Sequence, residues 1–365
     1  MSNARKLADN LPTEGSLTGR NMVINGDMRI DQRNSGSAVT GHNTNLFPVD
    51  RFRCIENTDG SVSMQRVQDA PAGFYYSLKF TVTGTDTSLT TTQFCRALHP
   101  IEGSNIGHLN WGTSNAKTCT LSFYVKSSVA GQYYVNIFNG SANRTMVKGY
   151  TIDAANTWER KIITVAGDTS GSWSTSTGGG IYIGWMQGTG PSYIVSSTDT
   201  YVDAFDMVGA NQVNLLATNG ATWQLTGVQF EVGENNATPF EHELYEAALK
   251  KCQRYFYQPV NVTSGSNQRF GFYTASAYSS GTVVYGTYTF PVPMRAAPSY
   301  AVTNISSFKM RFGADTTATS SSYHGSVSNN TITPVFYATG TTFTAGRHGW
   351  VEAIGGGKVS FDAEL

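Results

Sequence analysis

Leu121–Ile137 reads LSFYVKSSVAGQYYVNI, and this stretch decides the fold class. Leu121, Phe123 and Val125 alternate with Ser122 and Tyr124; beyond a short turn cluster, Tyr133, Val135 and Ile137 alternate again. A period of two sends successive side chains to opposite faces of an extended chain, so each half predicts a strand with one apolar face. Lys161–Val165 and Ile181–Trp185 repeat the pattern, and the connections between such runs are rich in Gly, Asn and Ser. Short strands with turns of that chemistry predict an antiparallel sandwich from Asn21 to about Phe240. At roughly 220 residues this unit suits a jelly roll with long loops. Within it Gly167–Gly180, GDTSGSWSTSTGGG, offers a central strand nothing to pack, so it predicts a surface loop carrying Trp173.

The pattern changes at Pro239. Leu244, Ala248, Cys252 and Tyr255 recur at helical spacing with Tyr245, Leu249 and Phe256 beside them, which predicts a helix of about four turns over 241–257. Its wide apolar stripe needs cover on more than one side. The helix reads either as a joint between two β domains or as an oligomer interface formed by Leu244, Tyr245, Leu249, Cys252 and Phe256. Residues 258–365 return to alternation, at Thr287–Phe290, Tyr300–Val302, Phe308–Phe312 and Val335–Tyr337, with Pro291, Pro293 and Pro298 marking edges or turns. A second, smaller β-sandwich is expected there, its last strand lying in the closing GGGKVSFDAEL. Residues 1–20 carry a short helical pattern (Ala4, Leu7, Ala8, Leu11) too small to fold alone, and read as a segment that docks on a partner.

Composition agrees with an all-β chain. Of 365 residues 39% are hydrophobic and only 14% charged, while Tyr and Phe number 19 each; aromatic and β-branched side chains suit pleated surfaces. The 25 basic and 25 acidic residues balance without a basic block, which argues against a nucleic-acid partner. No run approaches the ~20 apolar residues that would span a bilayer, and Met1–Arg20 lacks a signal-peptide core. The expected chain is therefore made in a cytoplasm and leaves it only as part of something larger. Cys54, Cys95, Cys119 and Cys252 form no C-x-x-C pair and have no histidine at ligand spacing. Free packed thiols are the first reading, and a Cys95–Cys119 bridge the competing one.

Three groups of phrases resemble tail-fibre proteins of tailed bacteriophages, particularly those of marine and cyanobacterial hosts. They are Leu17–Arg33 (LTGRNMVINGDMRIDQR) with Pro48–Phe52 (PVDRF); Leu225–Tyr257 (LTGVQFEVGENNATPFEHELYEAALKKCQRYFY); and Thr289–Pro298 (TFPVPMRAAP) with Phe361–Leu365 (FDAEL). The resemblance implies a carbohydrate-binding-module-like jelly roll, a homotrimer, a place on the virion beside other tail proteins, and a host-surface glycan as ligand, with a purely structural adaptor or decoration protein of the virion as the alternative. In TGVQFEVG, Val228, Phe230 and Val232 would face one side and Gln229 and Glu231 the other, as a closing strand requires.

No nucleophile elbow, phosphate loop or H-E-x-x-H occurs, so the chain is expected not to be an enzyme and to use no cofactor. Acid pairs such as Asp27 with Glu231, or Asp199 with Asp203, are the only material for a glycosidase. Asp27, Asp31, Asp50 and Glu231 are alternatively oxygen ligands for a structural calcium, though ordinary carboxylates and an Asp50–Arg51 turn are the preferred reading, with no metal expected. Sugar recognition needs aromatic faces. Trp173, Tyr182, Trp185 and Tyr193 lie close in sequence and form the first candidate surface. Tyr182 and Trp185 have opposite parity on one strand, so one of the two should pack in the core, and a lone loop tryptophan such as Trp173 reads more readily as a plug over the end of its own sandwich. Tyr278, Tyr323, His324, His348 and Trp350 in the C-terminal domain form a second.

Overall fold

The computed structural model describes residues 19–41, 44–233, 237–262, 269–278, 281–312, 315–340 and 343–365. Nearly all of the expected docking segment, 1–20, lies outside them. The chain divides into two compact units, Met1–Ala248 with Leu365, and Leu249–Glu364.

The strands of the first unit are β1 (Val39–Gly41), β2 (Thr44–Val49), β3 (Phe52–Asn57), β4 (Ser61–Val67), β5 (Ser77–Gly84), β6 (Phe94–Glu102) and β7 (Cys119–Ser127). They continue with β8 (Gly131–Asn139), β9 (Thr145–Ile152), β10 (Glu159–Val165), β11 (Gly179–Thr189), β12 (Tyr201–Val202) and β13 (Thr222–Val232). A six-stranded sheet runs β1-β4-β5-β13-β7-β10 and a seven-stranded one β12-β9-β8-β11-β6-β3-β2. This is the expected jelly-roll-like sandwich. Leu121, Phe123 and Val125 on β7 and Tyr133, Val135 and Ile137 on β8 all point inward and are at most 1% exposed. Phe123 meets Tyr150 and Trp185 of the opposite sheet at ring-centroid distances of 5.2 and 5.9 Å. Removing one such side chain from water contributes about 1.5–3 kcal/mol.

The phrases that open the unit turn out to be its fasteners. Asn25, in left-handed conformation, accepts the Ile30 N–H (2.9 Å) and donates to the carbonyls of Ile30 and Asp50 (both 2.9 Å). Gly26 presses against β13: a Cβ there would lie 2.1 Å from the Val228 carbonyl oxygen, which only glycine avoids. Asp50 accepts from the Gln32 backbone (3.1 Å) and side chain (2.6 Å). Arg51, fully buried, donates to the Pro100 carbonyl at 2.7 Å, and Phe52 packs on Trp185 in the core.

The helix is shorter than expected. α1 covers Tyr245–Gln253, nine residues, and Phe256–Asn261 forms β14 instead. The apolar spacing is helical up to Tyr255, but Phe256 and Tyr257 pair with Asp362 and Phe361, and these ladder bonds end the helix. The segment before it is extended, tied down where the Gln229 side chain accepts the Glu241 N–H at 2.8 Å.

In the second unit β14 is followed by β15 (Arg269–Ala277), β16 (Val283–Tyr285), β17 (Tyr288–Thr289), β18 (Ser299–Thr303) and β19 (Phe308–Phe312). The remaining strands are β20 (Asp315–Val327), β21 (Thr331–Ala338), β22 (His348–Ile354) and β23 (Lys358–Asp362). A three-stranded sheet, β14-β23-β18, shares one core with a sheet ordered β16-β15-β22-β19-β20-β21-β17. An extra β16–β21 pairing closes six strands of that sheet into a ring. The final strand, expected from the closing FDAEL phrase, is the centre of the smaller sheet: Phe361 lies 5.0–5.8 Å from the rings of Phe290, Tyr288 and Tyr300. All four cysteines are buried free thiols, so Cys95 and Cys119 are not bridged; burial pushes the Cys54 and Cys95 thiols well above their usual range.

Candidate functional site

Of the four aromatic residues first considered for a sugar site, the structure keeps two together on a face and places two elsewhere. Trp185 is completely buried between the sheets. Trp173 lies in the Gly/Ser loop as expected, but it folds inward to 8% exposure. Its ring meets Trp111 at 4.7 Å and Tyr201 at 5.9 Å, and its indole N–H donates to Asp168 at 3.0 Å. Asp168 also receives Nε and Nη2 of Arg144, both at 2.8 Å. Burial opposes ionisation of Asp168, yet the Arg144 and Trp173 hydrogen bonds outweigh it and hold the carboxyl below its usual range. Trp173 therefore plugs one end of the sandwich, because its apolar ring gains more by covering that core than by facing water.

Tyr182 and Tyr193 converge on the outer face of the seven-stranded sheet. Tyr182 points away from the core on β11 and stacks on Phe138 of β8, its direct cross-strand partner, at 5.1 Å and 14°. Tyr193 meets Phe94 of β6 edge-on at 5.8 Å, and Phe205 lies 5.0 Å from Phe138 and 6.1 Å from Tyr193. Ile55 and Leu98 extend the apolar strip toward β3. On its other side the chain between β11 and β13 folds back over the sheet: Val195, Met207 and Val208 pack on Tyr134, Val147 and Met186. Phe205 and Tyr193 stand at the rim of this cover, half-buried like Tyr182 and Phe94.

Arg96 sits in the middle of the strip. Its guanidinium carbon lies 5.1, 5.3 and 5.5 Å from the ring centres of Phe94, Phe205 and Phe138. The residue is 6% exposed. Burial first, and then the nearby charge of Arg53, push its pKa down to about 9, still cationic at neutral pH. Phe94, Arg96 and Phe205 carried no motif; the signal that could have found the first two was parity, since positions 94, 96 and 98 face outward while Cys95 and Ala97 are core.

The acids considered for catalysis or calcium are engaged within the protein. Asp27 pairs with Arg29. Asp31 accepts the Asn34 N–H (2.9 Å) and the Gly36 N–H (2.6 Å). Glu231 accepts the Thr238 N–H (2.9 Å) and hydroxyl (2.7 Å). Asp199 pairs with Lys148 at 2.7 Å and Asp203 with Arg144 at 2.9 Å. Among the described residues no three His, Cys, Asp or Glu side chains are grouped as a metal site. In the second unit Trp350 is 44% exposed on the outer side of β22, near an Arg311–Glu352 ion pair of 2.7 Å and a Ser276–His348 hydrogen bond of 2.8 Å.

Cys252 and Phe256, expected at an oligomer interface, are 0% and 4% exposed within the single chain and have no surface to offer. Phe256 lies in β14, paired with Asp362. Leu249 is half-buried, whereas Leu244 and Tyr245 are 77% and 54% exposed.

No protein-family model and no curated protein matches the sequence. Among solved structures the chain is similar to the enzymatically active domain of bacteriophage CBA120 tailspike protein 4, at 12% identity and a TM-score of 0.32 over 59% of this chain and 22% of that one. It is also similar to a chain described as "CBM4 structure and function", at 14% identity and a TM-score of 0.30, covering 58% of this chain and 99% of that one. A family 11 carbohydrate-binding module from Clostridium thermocellum, in complex with a β-1,3-1,4-mixed-linked tetrasaccharide, aligns at 13% identity and a TM-score of 0.29, over 57% of this chain and 99% of that one. The chain thus spans about a fifth of the tailspike chain. Likeness this distant leaves the ligand to be argued from the residues themselves.

Proposed function

We propose that this is a non-enzymatic glycan-binding protein of a phage tail fibre or related virion appendage, and that it binds a host-surface glycan along the outer strip of the seven-stranded sheet. The observation that carries the binding site is the pairing of Tyr182 with Phe138: a half-buried ring held flat by a neighbour on a rigid sheet is already ordered for stacking on a sugar. Tyr193 and Phe205 flank it, and the sheet supplies the rigidity that loops lack. The virion assignment rests on the tail-fibre phrases at both ends of the first unit and in the second. Several copies on one particle would multiply a weak contact into firm attachment.

A glycan array followed by calorimetry on the best ligand tests the site. Tyr182→Ala should weaken binding at least ~10-fold, as expected for a lost stacking partner, with the thermal midpoint little changed. Equal affinity in the variant would remove this strip from consideration, and Trp350→Ala would then test the exposed tryptophan of the second unit. Release of reducing sugar from host polysaccharide would overturn the non-enzymatic reading. The exposed Leu244 and Tyr245 favour a further element of the proposal, a homotrimer in which the start of α1 meets its copies.

A further inference from the structure

Among the described arginines of the first unit Arg96 is set apart by two buried nitrogens without an acceptor. Arg144 is held by two carboxylates, Arg29 by Asp27, Arg33 by Asp50, and the buried Arg51 by a carbonyl. Arg96 is 94% removed from solvent, yet its Nε and Nη1 find no hydrogen-bond partner among the described residues. Three aromatic rings surround it, and the charge of a second cation, Arg53, acts on it. Cation–π attraction offsets part of the lost hydration, but rings accept no N–H bonds of ordinary strength. Leaving two nitrogens of a buried guanidinium without an acceptor is costly, and such groups in a folded protein call for a reason.

Further polar atoms without partners among the described residues lie on and near the neighbouring strand β11. Met186 is opposite Arg96 and Thr189 opposite Phe94, with a bulge between them. In this short length of β11 both amide atoms of Gln187 and the hydroxyl of Thr189 are buried without partners among the described residues. The Gln212 side chain, which donates to the Thr189 carbonyl, also has a free buried oxygen.

Building on the glycan site proposed above, we infer that its ligand is an acidic glycan, and that Arg96 receives the carboxylate of a uronic- or sialic-acid-type sugar while Tyr182 stacks on a ring of the same chain. A carboxylate on the guanidinium forms charge-assisted hydrogen bonds, the strongest class available here, in surroundings where water competes poorly. Aromatic walls suit the apolar face of a sugar, and the Arg53 charge adds to the pull on an anion.

The test uses the full chain and two matched probes, an oligogalacturonate and the same oligosaccharide with its carboxyls reduced to alcohols, together with an array of neutral, carboxylated and sulfated polysaccharides. The expected result is at least tenfold tighter binding of the carboxylated probes, a preference that falls with added salt and disappears in Arg96→Met. The thermal midpoint of ligand-free Arg96→Met supplies a second readout. A ligand-receiving cation costs stability when empty, so the variant should melt at the same temperature or higher. A midpoint several degrees lower would mean that the cation only glues the three rings together, and overturns the inference. Neutral and acidic glycans bound equally, or sulfated ones preferred, would overturn it while leaving the glycan site standing. Absence of binding to any glycan would remove both.

Discussion

Single residues show which parts of the sequence carry architecture and which carry recognition. Gly26 fits because its missing Cβ lets the chain reach the Val228 carbonyl. Gly26→Ala should therefore destabilise the first unit by about 1–3 kcal/mol, read as a fall in the denaturant midpoint. Trp173→Ala should cost more, about 3–5 kcal/mol, since it empties the space against Trp111 and Tyr201, with glycan affinity unchanged in the fraction that stays folded. Asp168 gives a pH signature. Its carboxyl is held below the usual range in the folded state, so the stabilisation it provides is complete above the unfolded pKa and is lost as pH falls through the folded one. Stability measured from pH 6 downward should fall below about pH 4, and less steeply in Asp168→Asn. Trp173 shows why the sequence was a partial guide here. A lone tryptophan in a loop of glycines and serines reads more readily as a plug over its own sandwich than as a sugar platform, which is what it is, and only the fold reveals that Asp168 takes its N–H. Parity did separate Trp185 from Tyr182, because alternation along a strand is a local property.

At the level of elements, alternation located strands well wherever only one face was buried. β8 shows the limit. Tyr133, Val135 and Ile137 were readable as inward, but Tyr134 and Asn136 on the other face are equally covered, at 7% and 0% exposure, by a segment more than fifty residues later in the chain. No local pattern reports a cover supplied from so far away. The same holds for α1, whose helical spacing continues into Phe256 although pairing with the C-terminal strand takes that residue into a sheet. Only the first turn of the helix keeps large apolar groups in water, so Leu244→Ser with Tyr245→Ser is the informative variant. Mass photometry should report trimers for the parent and monomers for the double variant, with thermal stability within about 0.5 kcal/mol of the parent. Monomeric parent protein would remove the trimer.

For the whole molecule, two separate cores imply two folding units. The first gathers Trp185, Trp223, Phe123 and their neighbours, the second Phe272, Phe308, Phe336 and Phe361. Residues 249–364 expressed alone should retain a cooperative thermal transition and a near-ultraviolet dichroism spectrum; a gradual melt would show that this core is incomplete by itself. The ring in which β16 meets β21 has a consequence for how the second unit opens. Strands joined in a circle leave fewer idle amides than an open sheet: β19, β20 and β22 each have a neighbour on both sides, and the short β17 lies at the edge. Amide protons in β19–β22 should accordingly be among the slowest in the second unit to exchange with deuterium.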